Sequence, residues 1–172
     1  MKSCIIFGGS GFIGTFFAQY LIEEHQFSRV YLYDLENITD KKSSFRRAII
    51  DKYSQIILIH GDVKEPIKWM PPQSIDLIAN FAAVHREPGH KDYEYFECNI
   101  QGAEHVCNWA AKVDCSKIIF TSSIAPYGPS EEKKDEFTLP VPQTAYGSSK
   151  LAAEKIHSIW QAKNDQRQLV IV

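Results

Sequence analysis

The sequence predicts an α/β fold, a doubly wound parallel sheet with helices on both faces. Three observations carry this. Short β-branched and apolar runs alternate with longer stretches of helical character, the pattern of parallel strands joined by crossovers. The first run, Ile5-Ile6-Phe7, feeds directly into a glycine-rich turn and a helix start. Late in the chain a hydroxyl-rich strand end is followed by Tyr146 and Lys150 at the start of another helix. The 172 residues suffice for one domain, and 44% hydrophobic with 23% charged residues is ordinary globular composition.

Taken in order, strands are expected near 2–7, 29–33, 56–60, 75–80, 117–121 and 168–172, and helices near 12–25, 43–54, 91–112 and 146–164. After the first strand, Gly8-Gly9-Ser10-Gly11-Phe12-Ile13-Gly14 places glycines at the first, fourth and seventh positions. Gly8 permits the turn, Gly11 lets the backbone approach a pyrophosphate, and Gly14 allows close helix packing, while the helix start offers N–H groups and a positive dipole end. The second strand ends at Asp34, 20 residues after Gly14, where a carboxylate can accept both hydroxyls of an adenosine ribose and repel a 2'-phosphate. NAD is therefore favoured over NADP, although Lys41 and Lys42 nearby leave the choice open. Between strands three and four, Pro66, Pro71 and Pro72 predict a short or irregular crossover over 63–72. The long helix carries Tyr93, Tyr95, Phe96 and Trp109, expected as core or subunit interface rather than a base-stacking surface.

The fifth strand closes on Thr121-Ser122-Ser123, and Tyr146-Gly147-Ser148-Ser149-Lys150 opens the next helix. At i, i+4 spacing both side chains leave one face, so the ammonium can stabilise a tyrosinate and the phenol can act as acid and base. The Ser123 hydroxyl can hold a substrate oxygen as it passes between alcohol and carbonyl, at the strand edge where open α/β sheets bind ligands. The last run, Gln168-Leu169-Val170-Ile171-Val172, is a strand with no turn or helix after it, which predicts that the chain is the first part of a longer one.

A formal charge of -2 gives no broad cationic field for a nucleic-acid polymer or an anionic membrane. Cys4, Cys98, Cys107 and Cys115 lie far apart with no Cys-x-x-Cys pair, which argues against a zinc ribbon, redox motif or disulfide scaffold and for the cytoplasm. No signal-peptide core and no 18-residue apolar run is present. His85, Glu87 and His90 lack a third ligand at supporting spacing, so no metal is expected; Arg86 in that loop is a candidate contact for a substrate phosphate.

These segments, with Gly61-Asp62-Val63, Asn80-Phe81-Ala82-Ala83, Asn99-Ile100-Gln101-Gly102 and Tyr127-Gly128, make the chain resemble the N-terminal NAD-binding part of an extended short-chain dehydrogenase/reductase of the NAD-dependent epimerase/dehydratase family. The resemblance spans essentially the whole chain and implies a Rossmann-type domain over residues 1–172, with the C-terminal substrate domain lacking. It implies Asp62 and Val63 beside the adenine, and Phe81, Ala82 and Ala83 along the cofactor phosphates and nicotinamide ribose. Asn99 would steady the active-site helix, Lys150 would also bind the nicotinamide ribose, Tyr146 would be the acid/base, and Ser123 its partner, with Ser122 as the alternative in a one-residue register shift. Relatives commonly dimerise through the long helix and the Tyr146 helix, which implies a homodimer.

Dehydratases of this family resemble one another in an Asp-Glu pair directly after the strand-five hydroxyl, where this chain has Ser122-Ser123. Pro126 also stands where relatives often have valine. The resemblance thus implies a nucleotide-sugar epimerase, with oxidation at C4 of a UDP- or dTDP-hexose to a bound 4-keto sugar and return of hydride to the opposite face. A dehydrogenase or reductase of the same family, or a non-catalytic NAD-binding domain, stays open at this point.

Overall fold

A computed structural model of the chain describes residues 2–35, 44–85 and 88–172. Lys41, Lys42, Arg86 and Glu87, singled out from the sequence, lie outside the described residues. Six strands, β1 (Ser3–Phe7), β2 (Arg29–Asp34), β3 (Ile56–His60), β4 (Leu77–Asn80), β5 (Lys117–Phe120) and β6 (Gln168–Ile171), form one parallel sheet in the order β3-β2-β1-β4-β5-β6. The helices are α1 (Phe12–Glu23), α2 (Ser44–Lys52), α3 (Asp92–Tyr95), α4 (Gly102–Lys112) and α5 (Ala145–Ala162).

β1 is central because its sequence can be. All five of its residues are buried, as a strand covered on both faces requires. Its side chains alternate between two cores. Ile5 and Phe7 join Tyr31, Ile78 and Trp109, whereas Cys4 and Ile6 join Leu21, Leu32 and Ala79 on the other face. Phe7 sits edge-on to both Tyr33 and Trp109, with ring centroids 5.1 and 5.6 Å away. Of the four aromatics on the long helix, Tyr95 and Trp109 are buried, while Tyr93 and Phe96 are exposed.

The crossover between β3 and β4 contains no helix, in keeping with its prolines. β4 starts at Leu77 instead of 75, because Asp76 is used as a clamp on β1: its carboxylate accepts the Ser3 N–H at 2.7 Å. The helix expected over 91–112 is α-helical only at its ends. Phe96–Gln101 forms a π-helical turn between α3 and α4, a local widening that periodicity does not announce.

All strands run the same way, so their carboxyl ends share one edge. Phe7 pairs with Tyr33 on one side and Asn80 on the other, and Asn80 pairs with Phe120. The strand order reverses between β1 and β4, and the crevice above that point is where such sheets take ligands.

Candidate active site

A cavity of about 610 Å³ opens above this edge. Gly8, Gly11, Phe12, Ile13 and Gly14 of the β1–α1 turn line one end of it. Gly8 has φ +73°, and a Cβ there would lie 2.7 Å from the Ala82 nitrogen, so the position excludes other residues. A Cβ on Gly14 would meet Gly8 O and Gly9 Cα at 2.7 Å, so the helix packs closely on the turn there. Gly11 is different. It is the N-cap of α1 in extended geometry, and an added Cβ would approach only Gly8 O, at 3.2 Å. No side chain caps the helix and its first turn holds no acid. The first amides of α1 therefore border a bare cradle that fits a pyrophosphate.

Asp34 lines the cavity at the end of β2 and accepts the Ser10 N–H at 2.9 Å, which fixes the carboxylate beside the turn. Gly61, Asp62 and Val63 follow β3; a Cβ on Gly61 would collide with the hydroxyl end of the Tyr33 ring, so glycine leaves that ring its room. Asp62 accepts the Lys64 N–H at 2.8 Å, and the Val63 carbonyl lies 2.8 Å from His105 Nδ1, which hold this loop in place. Phe81, Ala82 and Ala83 form the floor after β4, with the Phe81 N–H donated to Phe7 O at 2.9 Å.

Tyr146 and Lys150 line the same cavity. Thr144 caps α5 by accepting the Gly147 N–H, and Gly147 packs so closely on Ala125 that a Cβ would be 2.6 Å from its carbonyl oxygen. Lys150 is 3% exposed. Its Nζ donates to Thr121 O at 2.6 Å and stands 4.2 Å from the centre of the Phe120 ring. Burial pushes its pKa from 10.5 down to about 8, with Glu154 and Cys98 pulling the other way. The Tyr146 ring lies 5.9 Å from that of Tyr95.

Two expected residues stand apart from the cavity lining. Ser123 Oγ accepts the Ala125 N–H at 3.2 Å, while Thr121 and Ser122 face the cavity from this strand end, and Ser122 donates its hydroxyl to Glu154. Asn99 is buried behind the wall: its Oδ1 accepts Val84 N–H at 2.9 Å, and its Nδ2 donates to Val84 O at 3.1 Å and to Ser149 Oγ at 2.9 Å. Asn99 thus ties α5 to the loop after β4 from the far side of that wall.

Sequence reasoning missed Tyr33, Leu35, Val84 and Cys98 as lining residues. Tyr33 and Leu35 flank Asp34, the acid that the spacing picks out. Cys98 owes its place to the π turn, which no period in the sequence signals. Among the described residues no three His, Cys, Asp or Glu side chains are grouped to hold a metal ion, and no helix is long and apolar enough to cross a membrane.

The chain is 29% identical over 170 residues to the N-acetyl-alpha-D-glucosaminyl-diphospho-ditrans,octacis-undecaprenol 4-epimerase of Escherichia coli O157:H7, covering 98% of this chain and 46% of that protein. It is 28% identical over 158 residues to the UDP-glucose 4-epimerase of Halalkalibacterium halodurans, covering 88% of this chain and 44% of the relative. It therefore spans about half the length of these curated relatives. In fold it matches the UDP-glucuronic acid 4-epimerase of Bacillus cereus solved with NAD, with TM-score 0.80 and 23% identity over 99% of this chain and 55% of that one. A dTDP-glucose 4,6-dehydratase from Streptomyces venezuelae, solved with NAD, gives TM-score 0.83 at 19% identity, over 99% and 54% of the two chains. The family described as the NAD dependent epimerase/dehydratase family matches residues 4–172, and with the turn, acid and Tyr-Lys pair in one cavity, the chain belongs to that family of NAD-dependent enzymes.

Proposed function

We propose that the protein is an NAD-dependent 4-epimerase of a nucleotide sugar, a UDP- or dTDP-hexose. The observation that carries this reading is that Tyr146 and Lys150 line the same cavity as the glycine cradle and Asp34. NAD, when bound, supplies the acceptor and donor of a hydride at the sugar C4. The chain's own residues do the rest. Gly8, Gly11 and the first turn of α1 take the pyrophosphate, Asp34 the adenosine ribose, and Asp62 and Val63 the adenine. Phe81, Ala82 and Ala83 carry the phosphates and the second ribose, which Lys150 also reaches. Tyr146 accepts the C4 hydroxyl proton and later returns it, and a hydroxyl at the end of β5 holds the same oxygen as it moves between alcohol and ketone: Ser123 by the family resemblance, or Ser122, which lines the cavity.

The relatives' names support C4 as the position, and the lack of an Asp-Glu pair beside the strand-five hydroxyls, where Ile124-Ala125 follow Ser123, speaks against elimination of water. Residues 1–172 act here as one cofactor-binding unit. A homodimer through the α3–α4 and α5 helices is supported by exposed Tyr93, Phe96 and Ile159, and a cytoplasmic setting by four free cysteines. Sedimentation as a monomer at micromolar concentration would count against the dimer.

The test is an assay of the NAD-loaded protein with UDP- and dTDP-hexoses, and with a polyprenyl-diphosphate sugar because the Escherichia coli relative is named for one. The expected result is a C4 epimer without net NADH, abolished by Tyr146→Phe. Net NADH or a 4-keto-6-deoxy product would overturn the reading in favour of a dehydrogenase or a dehydratase.

A further inference from the structure

Ser149 has no part in the chemistry above, yet it is wholly buried and its hydroxyl is used in both directions. It donates to the Tyr146 carbonyl at 2.7 Å and accepts from Asn99 Nδ2 at 2.9 Å. Both hydrogens of the Asn99 amide are used. Its other Nδ2 hydrogen goes to Val84 O at 3.1 Å, and its Oδ1 takes the Val84 N–H at 2.9 Å. Four hydrogen bonds thus run from the loop after β4, through the π turn, into the first turn of α5.

The geometry of this chain is specific. An amide that grips one residue's backbone by both its N–H and its C=O is fixed in rotation as well as distance, so Asn99 and Val84 move together. Val84 belongs to the stretch that lines the cavity floor. On the other side, the acceptor of the Ser149 hydroxyl is the peptide of Tyr146 itself. The ring of Tyr146 packs at 5.9 Å on Tyr95, one residue before the π turn. Backbone and ring of the tyrosine are therefore both referenced to the segment that holds the floor.

We propose that Ser149 is a positioning residue for Tyr146: its hydroxyl ties the first turn of α5 to Asn99 and so sets where the phenol stands relative to the loop after β4. Its kinetic test rests on the 4-epimerase reading; its structural test rests on the hydrogen bonds alone. A hydroxyl that merely filled volume would be replaceable by a thiol, which is of similar shape but a weak donor and acceptor.

The experiment compares Ser149→Ala and Ser149→Cys in the NAD-loaded protein. The expected result is a fall in kcat of roughly 10- to 100-fold for alanine and a partial fall for cysteine, with sugar KM and NAD affinity nearly unchanged, as for a misplaced acid/base. Parental kcat in Ser149→Cys, or a rise in KM with kcat intact, would overturn the proposal. Amide exchange over residues 145–150 is measured alongside: Ser149→Ala should quicken it while β1 and β2 stay protected, and unchanged exchange overturns the proposal. If no sugar diphosphate turns over in the parent protein, the 4-epimerase reading has failed and exchange alone decides on Ser149. If alanine prevents folding, Ser149→Cys carries both measurements.

Discussion

That Tyr146 and Lys150 share a helix face was legible from their i, i+4 spacing, and their place in a cofactor site from the glycine turn, Asp34 and the strand-five hydroxyls that precede them. The burial of Lys150 was not, since it comes from Phe120 and Thr121 on a strand nearly 30 residues earlier. That burial has a measurable consequence. With a folded pKa of about 8 against 10.5, the ammonium is held in the fold at pH 7 at a cost on the order of 3 kcal/mol. Lys150→Met should therefore raise the unfolding midpoint at pH 7 while abolishing turnover. Between about pH 8 and 10.5 the unfolded chain binds more protons than the folded one, so the parent gains stability and the gap to the variant closes. A constant gap across that range would refute the account. His157, two turns further on and in no motif, behaves in a parallel way. Its Nε2 meets Asn80 Nδ2 at 3.2 Å, its Nδ1 meets Ala153 O at 2.7 Å, and its ring stacks 4.2 Å from Phe120. Burial lowers its pKa from 6.5 to about 4. A group that stays neutral in the fold and charges when unfolded loses stability as pH falls through that interval. Urea midpoints of the parent should drop from pH 6.5 to 4 more steeply than those of His157→Leu.

The β1–α1 turn was legible because each of its glycines answers a different steric demand, and the structure separates those demands. Gly8→Ala forces a Cβ into the Ala82 backbone at a left-handed φ, so both stability and NAD binding should be lost. Gly11→Ala meets one carbonyl oxygen and the cradle. It should melt within a few degrees of the parent and yet bind NAD far more weakly, as calorimetry with NAD would show; equal affinity would mean that the pyrophosphate lies elsewhere. The π turn is the element that the sequence hid. Apolar spacing over 91–112 fits an α-helix, and one widened turn moves Cys98 and Asn99 without disturbing the average period. The same blind spot hides Ser149 within its motif, since its distant partner Asn99 sits in that widened turn.

For the molecule as a whole, sheet class and strand count were legible because parallel strands buried on both faces are uninterrupted apolar runs, and each crossover has its own period. The order of strands was not read from the sequence, because periodicity marks each strand but not which neighbour it pairs with. Protection should rank accordingly. Amides of β1 and β4, buried in the sheet centre, should exchange slowest, and those of β6, where only Leu169 is not exposed, fastest; equal protection across the sheet would contradict the two-core description. The strand order also has a consequence for synthesis on the ribosome. β2 and β3 can join β1 once residue 60 is free, but the other edge of β1 waits for β4 at residues 77–80. At about 5–20 residues per second this leaves the strand buried along its whole length in the finished fold with a bare edge for roughly one to four seconds. During that interval a nascent half-sheet is a template for any strand that arrives first, which makes the proline-rich stretch from 63 to 72, too stiff and irregular to pair there, a guard on the order of assembly.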